Sequence, residues 1–87
     1  MRFMVVEHYL HGAAPVYERL RAGGRAVPDG VTFVDSWVDE SLDRCWQVME
    51  APDRESLDAW TRAWSDLVDF EITAVVPTDE AARRALG

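Results

Sequence analysis

The sequence predicts one small α+β domain whose strands and helices follow the order βαββαβ. Its 87 residues leave room for a single hydrophobic core, because a chain this short buries only about 60% of its unfolded surface. Short runs rich in Val, Phe and Trp alternate with segments of helical periodicity, and Gly, Pro and Asp separate them. We therefore expect one domain over residues 1–77, followed by a helical tail over residues 78–87.

The first half of the chain predicts a strand, a helix and a second strand. Apolar and β-branched residues fill 3–10, and the turn residue Gly12 follows them. Pro15 suits the first turn of a helix, where its missing N–H costs nothing, and Gly23 and Gly24 end that helix. After the turn signal at Asp29-Gly30, residues 31–38 alternate as a second strand.

The second half predicts a strand, a helix and a strand again. A polar connection of hairpin size, 39–43, leads into a third strand over 44–50. Asp53 is a suitable N-cap for a second helix, and the helical stripe that follows it predicts a core-facing side. The stripe consists of Leu57, Trp60, Trp64 and Leu67. A fourth strand over 70–76 ends at Pro77, and Thr78 is placed to cap a C-terminal helix over 79–86.

This order predicts a ferredoxin-like fold, in which a four-stranded sheet carries both helices on one face. We expect the first and third strands to be central, adjacent and parallel. Pattern alone then assigns side chains to the two faces of the sheet. The helix-facing set is Met4, Val6, His8, Phe70, Ile72, Ala74 and Val76. The opposite set is Phe3, Val5, Glu7, Tyr9, Phe33, Asp35, Trp37, Arg44, Trp46, Val48, Glu50, Glu71 and Thr73. In the third strand Cys45, Gln47 and Met49 are the alternative occupants of that opposite face.

The opposite face holds several aromatic rings, and a large exposed apolar surface favours association. The sequence therefore predicts a homodimer that forms through the sheet face. The alternative is that these rings are scattered and partly covered by the C-terminal tail.

The net charge of −7, from sixteen acids and nine Arg, disfavours nucleic acid and anionic membrane surfaces as partners. The acids concentrate between Asp35 and Asp58, so a charged ligand of that region should be a cation. Cys45 is the single cysteine and is interpreted as a buried thiol rather than a nucleophile. Together with an N-terminal run too polar for a signal peptide, this predicts a cytoplasmic protein.

Three carboxylates, Glu7, Glu50 and Glu71, are expected to converge at one end of the opposite face. Close carboxylates share a proton, bind a cation or pair with Arg. The alternative is that they lie in water at the sheet's rim or pair with Arg44. His8 and His11 are weak candidate metal ligands, and a core imidazole is the favoured interpretation of His8. No Gly-rich phosphate loop, HExxH or CxxC motif is present, so we predict no cofactor and no dedicated metal site.

The predicted functional site is a cavity between the two sheets of the dimer, and its ligand is a small aromatic or cationic molecule. The candidate ligand-binding residues are Glu7, Tyr9, Phe33, Asp35, Trp37, Arg44, Trp46, Glu50 and Glu71. One alternative is a non-catalytic association or regulatory module that uses the same face as a dimer core. Another is a weak metal-binding protein. No motif assigns a reaction or any catalytic residue.

Several segments resemble one family of small proteins, the domain of unknown function 3303 family. These segments are Phe3–Glu7, Val16–Arg19, Asp35–Trp37, Asp43–Glu50 and Trp64–Glu71, and the resemblance spans most of residues 2–76. That family is similar to the dimeric α+β barrel group, in which two ferredoxin-like sheets pack face to face and whose members include cofactor-independent monooxygenases, haem-handling enzymes and ligand-binding proteins. The resemblance implies the fold and a dimer but no particular chemistry.

Overall fold

The computed structural model describes all of residues 1–87 and contains four strands and three α-helices. The strands are β1 (Arg2–Tyr9), β2 (Thr32–Val38), β3 (Arg44–Glu50) and β4 (Val68–Val75), and the helices are α1 (Ala13–Gly23), α2 (Asp58–Trp64) and α3 (Thr78–Leu86). A 3-10 turn at Glu55–Leu57 leads directly into α2. The order βαββαβ with an additional C-terminal helix confirms the predicted α+β, ferredoxin-like fold.

The four strands form one sheet in the order β2-β3-β1-β4. All neighbouring strands are antiparallel, including the central pair, where Arg2 lies opposite Glu50 and Glu7 lies opposite Cys45. The prediction that β1 and β3 run parallel is wrong. The crossover through α1 makes β2 parallel to β1, and the hairpin then reverses the chain, so β3 enters between them in the opposite direction.

The predicted facing of β1 is also wrong. Phe3, Val5 and Glu7 are buried on the side covered by α1 and α2, which we call the helix side, whereas Met4 and Val6 lie half-buried on the uncovered side. Residues directly opposite each other in a ladder point to the same side. Since Val5 lies opposite Ile72, which packs against the core, β1 must present its odd-numbered residues to the helices.

We call the uncovered side of the sheet the open face. Most of the residues of β2, β3 and β4 that were predicted to lie opposite the helices are on this face. In β3 the alternation places Cys45, Gln47 and Met49 in the interior, so the primary prediction for that strand is confirmed. In β2 a bulge between Phe33 and Asp35 breaks the alternation. Phe33 therefore packs against the core, contrary to the prediction. The open face consists of Arg2, Met4, Val6, His8, Thr32, Asp35, Trp37, Arg44, Trp46, Val48, Glu50, Asp69, Glu71, Thr73 and Val75.

The core lies between the helix side of the sheet and the helices. The predicted stripe is confirmed, because Leu57, Trp60 and Trp64 are buried and Leu67 packs against them. Asp53 accepts the backbone N–H of Ser56 at 2.9 Å and its hydroxyl at 2.8 Å, as an N-cap does. The segment after this cap begins as a 3-10 turn, so α2 itself starts five residues beyond Asp53.

The C-terminal helix α3 differs from the others because none of its residues is buried. Thr78 is its first residue and makes no side-chain capping bond, contrary to the prediction. The backbone carbonyl of Pro77 accepts the N–H of Ala81 instead, at 3.0 Å. No helix of the structure combines the length and the apolar character that crossing a membrane requires.

Candidate functional site: a cavity around Glu7

A cavity of ≈ 60 Å³ lies on the helix side, between the sheet and both core helices. Its volume is several times the roughly 10–15 Å³ that one water molecule needs. The sheet contributes Glu7, Tyr9, Ser36, Val38, Cys45 and Gln47. The helices and the α1–β2 connection contribute Val16, Tyr17, Leu20, Arg25, Trp60 and Trp64. The cavity therefore has a mainly polar floor on the sheet and mainly apolar walls, which include the rings of Tyr17, Trp60 and Trp64.

Glu7 is the central polar group of this floor. Only 8% of the residue is exposed, and its Oε2 accepts a 2.8 Å hydrogen bond from Nε2 of Gln47. Burial raises the pKa of the Glu7 carboxyl, although hydrogen bonds from Cys45 and Gln47 and the charge of Arg25 act in the opposite direction. A buried carboxyl with a raised pKa can exchange a proton closer to neutral pH than an ordinary glutamate.

Tyr9 and Cys45 lie beside Glu7, and both stay protonated at neutral pH. Burial raises the pKa of the Cys45 thiol to about 11, and the negative charge of Glu7 adds to this effect. Burial likewise raises the pKa of the Tyr9 phenol, with Cys45 as the next contributor. The Tyr9 ring also meets Tyr17 of α1 edge-on, with ring centroids 6.4 Å apart. This neighbourhood supplies neutral hydrogen-bonding groups and no second negative charge.

Arg25 is the one cationic residue that lines the cavity. Its guanidinium lies over the ring of Phe33, 3.7 Å from the ring centroid, a cation–π contact that holds it in place. Its backbone carbonyl accepts the indole N–H of Trp64 at 2.9 Å. With Glu7 ionised the charges of Glu7 and Arg25 cancel, and with Glu7 protonated the cavity is positive, so the lining favours a neutral ligand over a cationic one.

The three carboxylates expected to converge do not do so. Glu7 lies on the helix side, whereas Glu50 and Glu71 lie on the open face, Glu50 opposite Arg2 at one end of β1 and Glu71 opposite Val6 near its middle. Glu50 pairs with Arg2, and Oε2 of Glu71 lies 2.6 Å from Nε2 of His8. The expected convergence rested on a parallel β1/β3 pair, and the antiparallel register separates the three residues.

The other predicted ligand-binding residues divide between the two sides of the sheet. Tyr9 lines the cavity, and Phe33 approaches it through Arg25. Asp35, Trp37, Arg44 and Trp46 lie on the open face, where Trp37 is directly opposite Trp46. The predicted site thus combined residues that the fold separates.

No group of three His, Cys, Asp or Glu side chains is arranged to hold a metal ion. His8 already contacts Glu71, and His11 is exposed beyond the end of β1. The hypothesis of a metal site built on the three carboxylates therefore loses its basis, because those carboxylates do not share a location.

Several cavity residues are absent from the predicted site. The primary prediction for β3 already placed Cys45 and Gln47 on the helix side, and the facing error in β1 concealed their closeness to Glu7. Trp60 and Trp64 were predicted as core residues, which they are, and their additional role as cavity walls follows from the packing. No sequence signal marks Tyr17 or Arg25 as a neighbour of Glu7.

Comparison with known proteins gives a family match and one similar solved structure. The family model described as a domain of unknown function (DUF3303) matches residues 1–86. No curated protein matches the sequence. A crystal structure of a protein from Agrobacterium tumefaciens is similar with 11% sequence identity and a TM-score of 0.48, and the match covers 87% of this chain and 94% of the other.

Proposed function

We propose a function for this chain, which belongs to the DUF3303 family of domains of unknown function: it binds a small aromatic molecule in the cavity around Glu7. The observation that carries the proposal is a carboxyl group buried at the floor of a cavity with aromatic walls. A concave, mostly apolar site with few polar groups and a perturbed pKa is typical of small-molecule binding.

The chemistry of the lining narrows the class of ligand. Tyr9, Tyr17, Trp60 and Trp64 offer ring faces and edges to an aromatic ring. The carboxyl of Glu7 can accept a hydrogen bond from a hydroxyl group on that ring, and Arg25 disfavours a cation. We therefore expect a neutral, phenol-like ligand whose hydroxyl points to Glu7.

The size of the cavity sets a condition on binding. At ≈ 60 Å³ it holds the polar end of such a molecule, and a whole ring requires the mouth to widen. Tyr17 on α1 is 41% exposed and is not part of the core cluster, so its ring can turn outward without disturbing the core. The ligand site lies within each copy of the chain rather than between two sheets, because Glu7 and Tyr9 face the helices.

Isothermal titration calorimetry with phenol tests this proposal, with cyclohexanol and benzylamine as comparison probes. We expect phenol to bind with a Kd on the order of 1 mM. Cyclohexanol lacks the aromatic ring and benzylamine is cationic, so both should bind more weakly.

Glu7→Leu should weaken phenol binding by roughly tenfold, since it removes the acceptor. Glu50→Leu is the matched control, because Glu50 lies on the open face at the opposite end of β3. Absence of heat with saturating phenol, or equal losses in both variants, contradicts the proposal.

A second proposal concerns the open face: two copies of the chain pair through it to form a dimeric α+β barrel. Its centre is uncharged and half-buried although no element covers it, and it consists of Met4, Val6, Trp46 and Val48. Trp37 beside it is 57% exposed. An apolar centre surrounded by paired charges such as Arg2–Glu50 is typical of a protein interface.

Sedimentation equilibrium tests the dimer directly. We expect twice the chain mass for the wild type, and a monomer for Val6→Asp, which places a charge at the centre of the open face. Leu42→Asp is the control, because it likewise replaces an aliphatic side chain by Asp, but at an exposed residue of the β2–β3 hairpin, and it should leave the dimer intact. A wild-type monomer at high protein concentration overturns this second proposal.

A further inference from the structure

Glu7 and Arg25 line the same cavity, and neither forms a salt bridge. Glu7 is 8% exposed and Arg25 is half-buried, yet both are absent from every ion pair of the structure. Ionisable groups that are kept from water without a charged partner destabilise a fold. Such groups in a cavity are typical of sites that act on a ligand.

Glu7 has the properties of a proton acceptor. Nε2 of Gln47 donates to its Oε2 at 2.8 Å, which holds the carboxyl group in place. A carboxylate has about four acceptor positions, so acceptor capacity remains for a ligand in the cavity. Burial raises the pKa of the Glu7 carboxyl, and the ionised form is therefore a stronger base than an exposed glutamate.

Arg25 is placed to receive negative charge. Its guanidinium lies 3.7 Å from the centroid of the Phe33 ring, so the side chain is oriented before a ligand binds. Its charge opposes the effect of burial on the pKa of Glu7, which means that the two groups act on each other across the cavity. Guanidinium N–H groups bind oxyanions strongly, and in a mostly apolar cavity this attraction is greater than in water.

A base and an oxyanion-binding cation in one cavity meet the requirements for removing a proton next to a carbonyl group. In that step the base takes a hydrogen from the α-carbon, the C–H electron pair forms a C=C bond, and the carbonyl π electrons move to the oxygen. The base then returns the proton, either to the oxygen, which gives the enol, or to the carbon, which restores the ketone. This proton transfer needs no oxidant, reductant or second reactant.

We propose that the cavity is catalytic: Glu7 moves a proton between the α-carbon and the oxygen of a neutral aromatic ketone, and Arg25 holds that oxygen. This inference rests on the proposed ligand site and deepens it, because phenol is the stable aromatic counterpart of an enol. The two atoms that exchange the proton are separated by one carbon, so a single carboxyl group reaches both. The rings of Trp60 and Trp64 in the cavity wall offer contacts to the aromatic part of the substrate.

Hydrogen–deuterium exchange of 2-indanone in deuterium oxide tests the inference, with ¹H NMR following the loss of its α-hydrogens. This probe is a neutral aromatic ketone, and near-neutral buffer keeps its hydroxide-catalysed exchange slow. We expect the wild type to accelerate the exchange, and Glu7→Gln to reduce the catalysed rate about a hundredfold, the lower end of what a general base contributes. Arg25→Gln should reduce it by a similar factor, because the developing oxyanion loses its partner.

Phenol binding, measured on the same proteins, separates loss of catalysis from loss of the site. Glu7→Gln retains a side-chain oxygen that accepts a hydrogen bond, so it should keep most of its phenol binding while it loses the exchange activity. Glu50→Gln and Arg44→Gln are the matched controls on the open face and should keep the wild-type rate. In the wild type, phenol should inhibit the exchange with the Kd of its own binding.

The outcomes distinguish this inference from the proposed function. A wild-type protein that binds phenol but exchanges 2-indanone no faster than buffer does overturns the inference alone. A protein that binds neither phenol nor 2-indanone overturns the proposed function as well. Equal rates in the wild type and Glu7→Gln, or exchange that saturating phenol does not inhibit, place the reaction outside the cavity and overturn the inference. An unchanged rate in Arg25→Gln contradicts the role given to Arg25.

Discussion

The side-chain amide of Gln47 donates a 2.8 Å hydrogen bond to Oε2 of Glu7, across the two central strands and inside the core. No buried side-chain nitrogen or oxygen lacks a partner, so this bond lets a carboxyl remain in the interior. A buried acid without such a bond would be strongly destabilising. The arrangement places one titratable group at the floor of the cavity.

Glu7→Gln should remove a pH dependence of stability. Because burial raises the pKa of Glu7 above its ordinary value of 4.5, the folded protein retains a proton that the unfolded chain has already lost. The contribution of Glu7 to the free energy of unfolding is therefore fully present below pH 4.5 and falls as the pH rises through the folded-state pKa. Urea denaturation between about pH 4.5 and 8 should show that the free energy of unfolding of the variant increases relative to that of the wild type as the pH rises. A constant difference contradicts this account.

Cys45 should react slowly with thiol reagents in the folded protein. The residue is 5% exposed, and its pKa of about 11 leaves little of the reactive thiolate at neutral pH. Reaction with a chromogenic disulfide reagent at pH 8 should be slow in buffer and fast in urea. The control is Cys45→Ser combined with Ser41→Cys, which moves the thiol to an exposed turn and should react rapidly. Equal rates for the two folded proteins would place Cys45 outside the core.

Leu57→Ala should destabilise the fold by about 2–5 kcal/mol, the usual cost of emptying a well-packed leucine site. Leu57 is fully buried at the point where the 3-10 turn becomes α2. Leu10→Ala is the matched control, since Leu10 is half-exposed and its loss should change the free energy of unfolding by less than about 0.5 kcal/mol. Chemical denaturation measures both, and similar losses would mean that α2 does not anchor the core.

Leu42→Gly should stabilise the protein. Leu42 has a φ of 62° in the β2–β3 hairpin, a conformation that costs L-residues about 1–2 kcal/mol and glycine almost nothing. After the greater backbone freedom of glycine in the unfolded state is included, we expect a net gain of roughly 0.5–1 kcal/mol. Leu42→Ala keeps the strain and should show no such gain in thermal denaturation. A loss of stability in Leu42→Gly would show that the Leu42 side chain packs usefully.

The order of elements was predictable because hydrophobic periodicity, Pro15 and the Leu57–Trp60–Trp64 stripe are local signals. The facing of β1 was not, because both of its faces are apolar and only the pairing with β4 decides between them. The bulge after Phe33 and the direction of β3 relative to β1 are likewise properties of the assembled sheet. The facing errors placed Glu7, Tyr9 and Phe33 on the wrong surface, and the direction error placed Glu50 beside Glu7, so the candidate site was predicted less well than the fold.

The most direct test of the central claim, that the cavity around Glu7 is the binding site, is a titration of ¹⁵N-labelled protein with phenol. The four indole N–H groups report both surfaces, since Trp60 and Trp64 line the cavity and Trp37 and Trp46 lie on the open face. We predict saturable shifts at Trp60, Trp64 and the side-chain amide of Gln47, with Trp37 and Trp46 unchanged. Shifts confined to Trp37 and Trp46 would move the binding site to the open face and contradict the account.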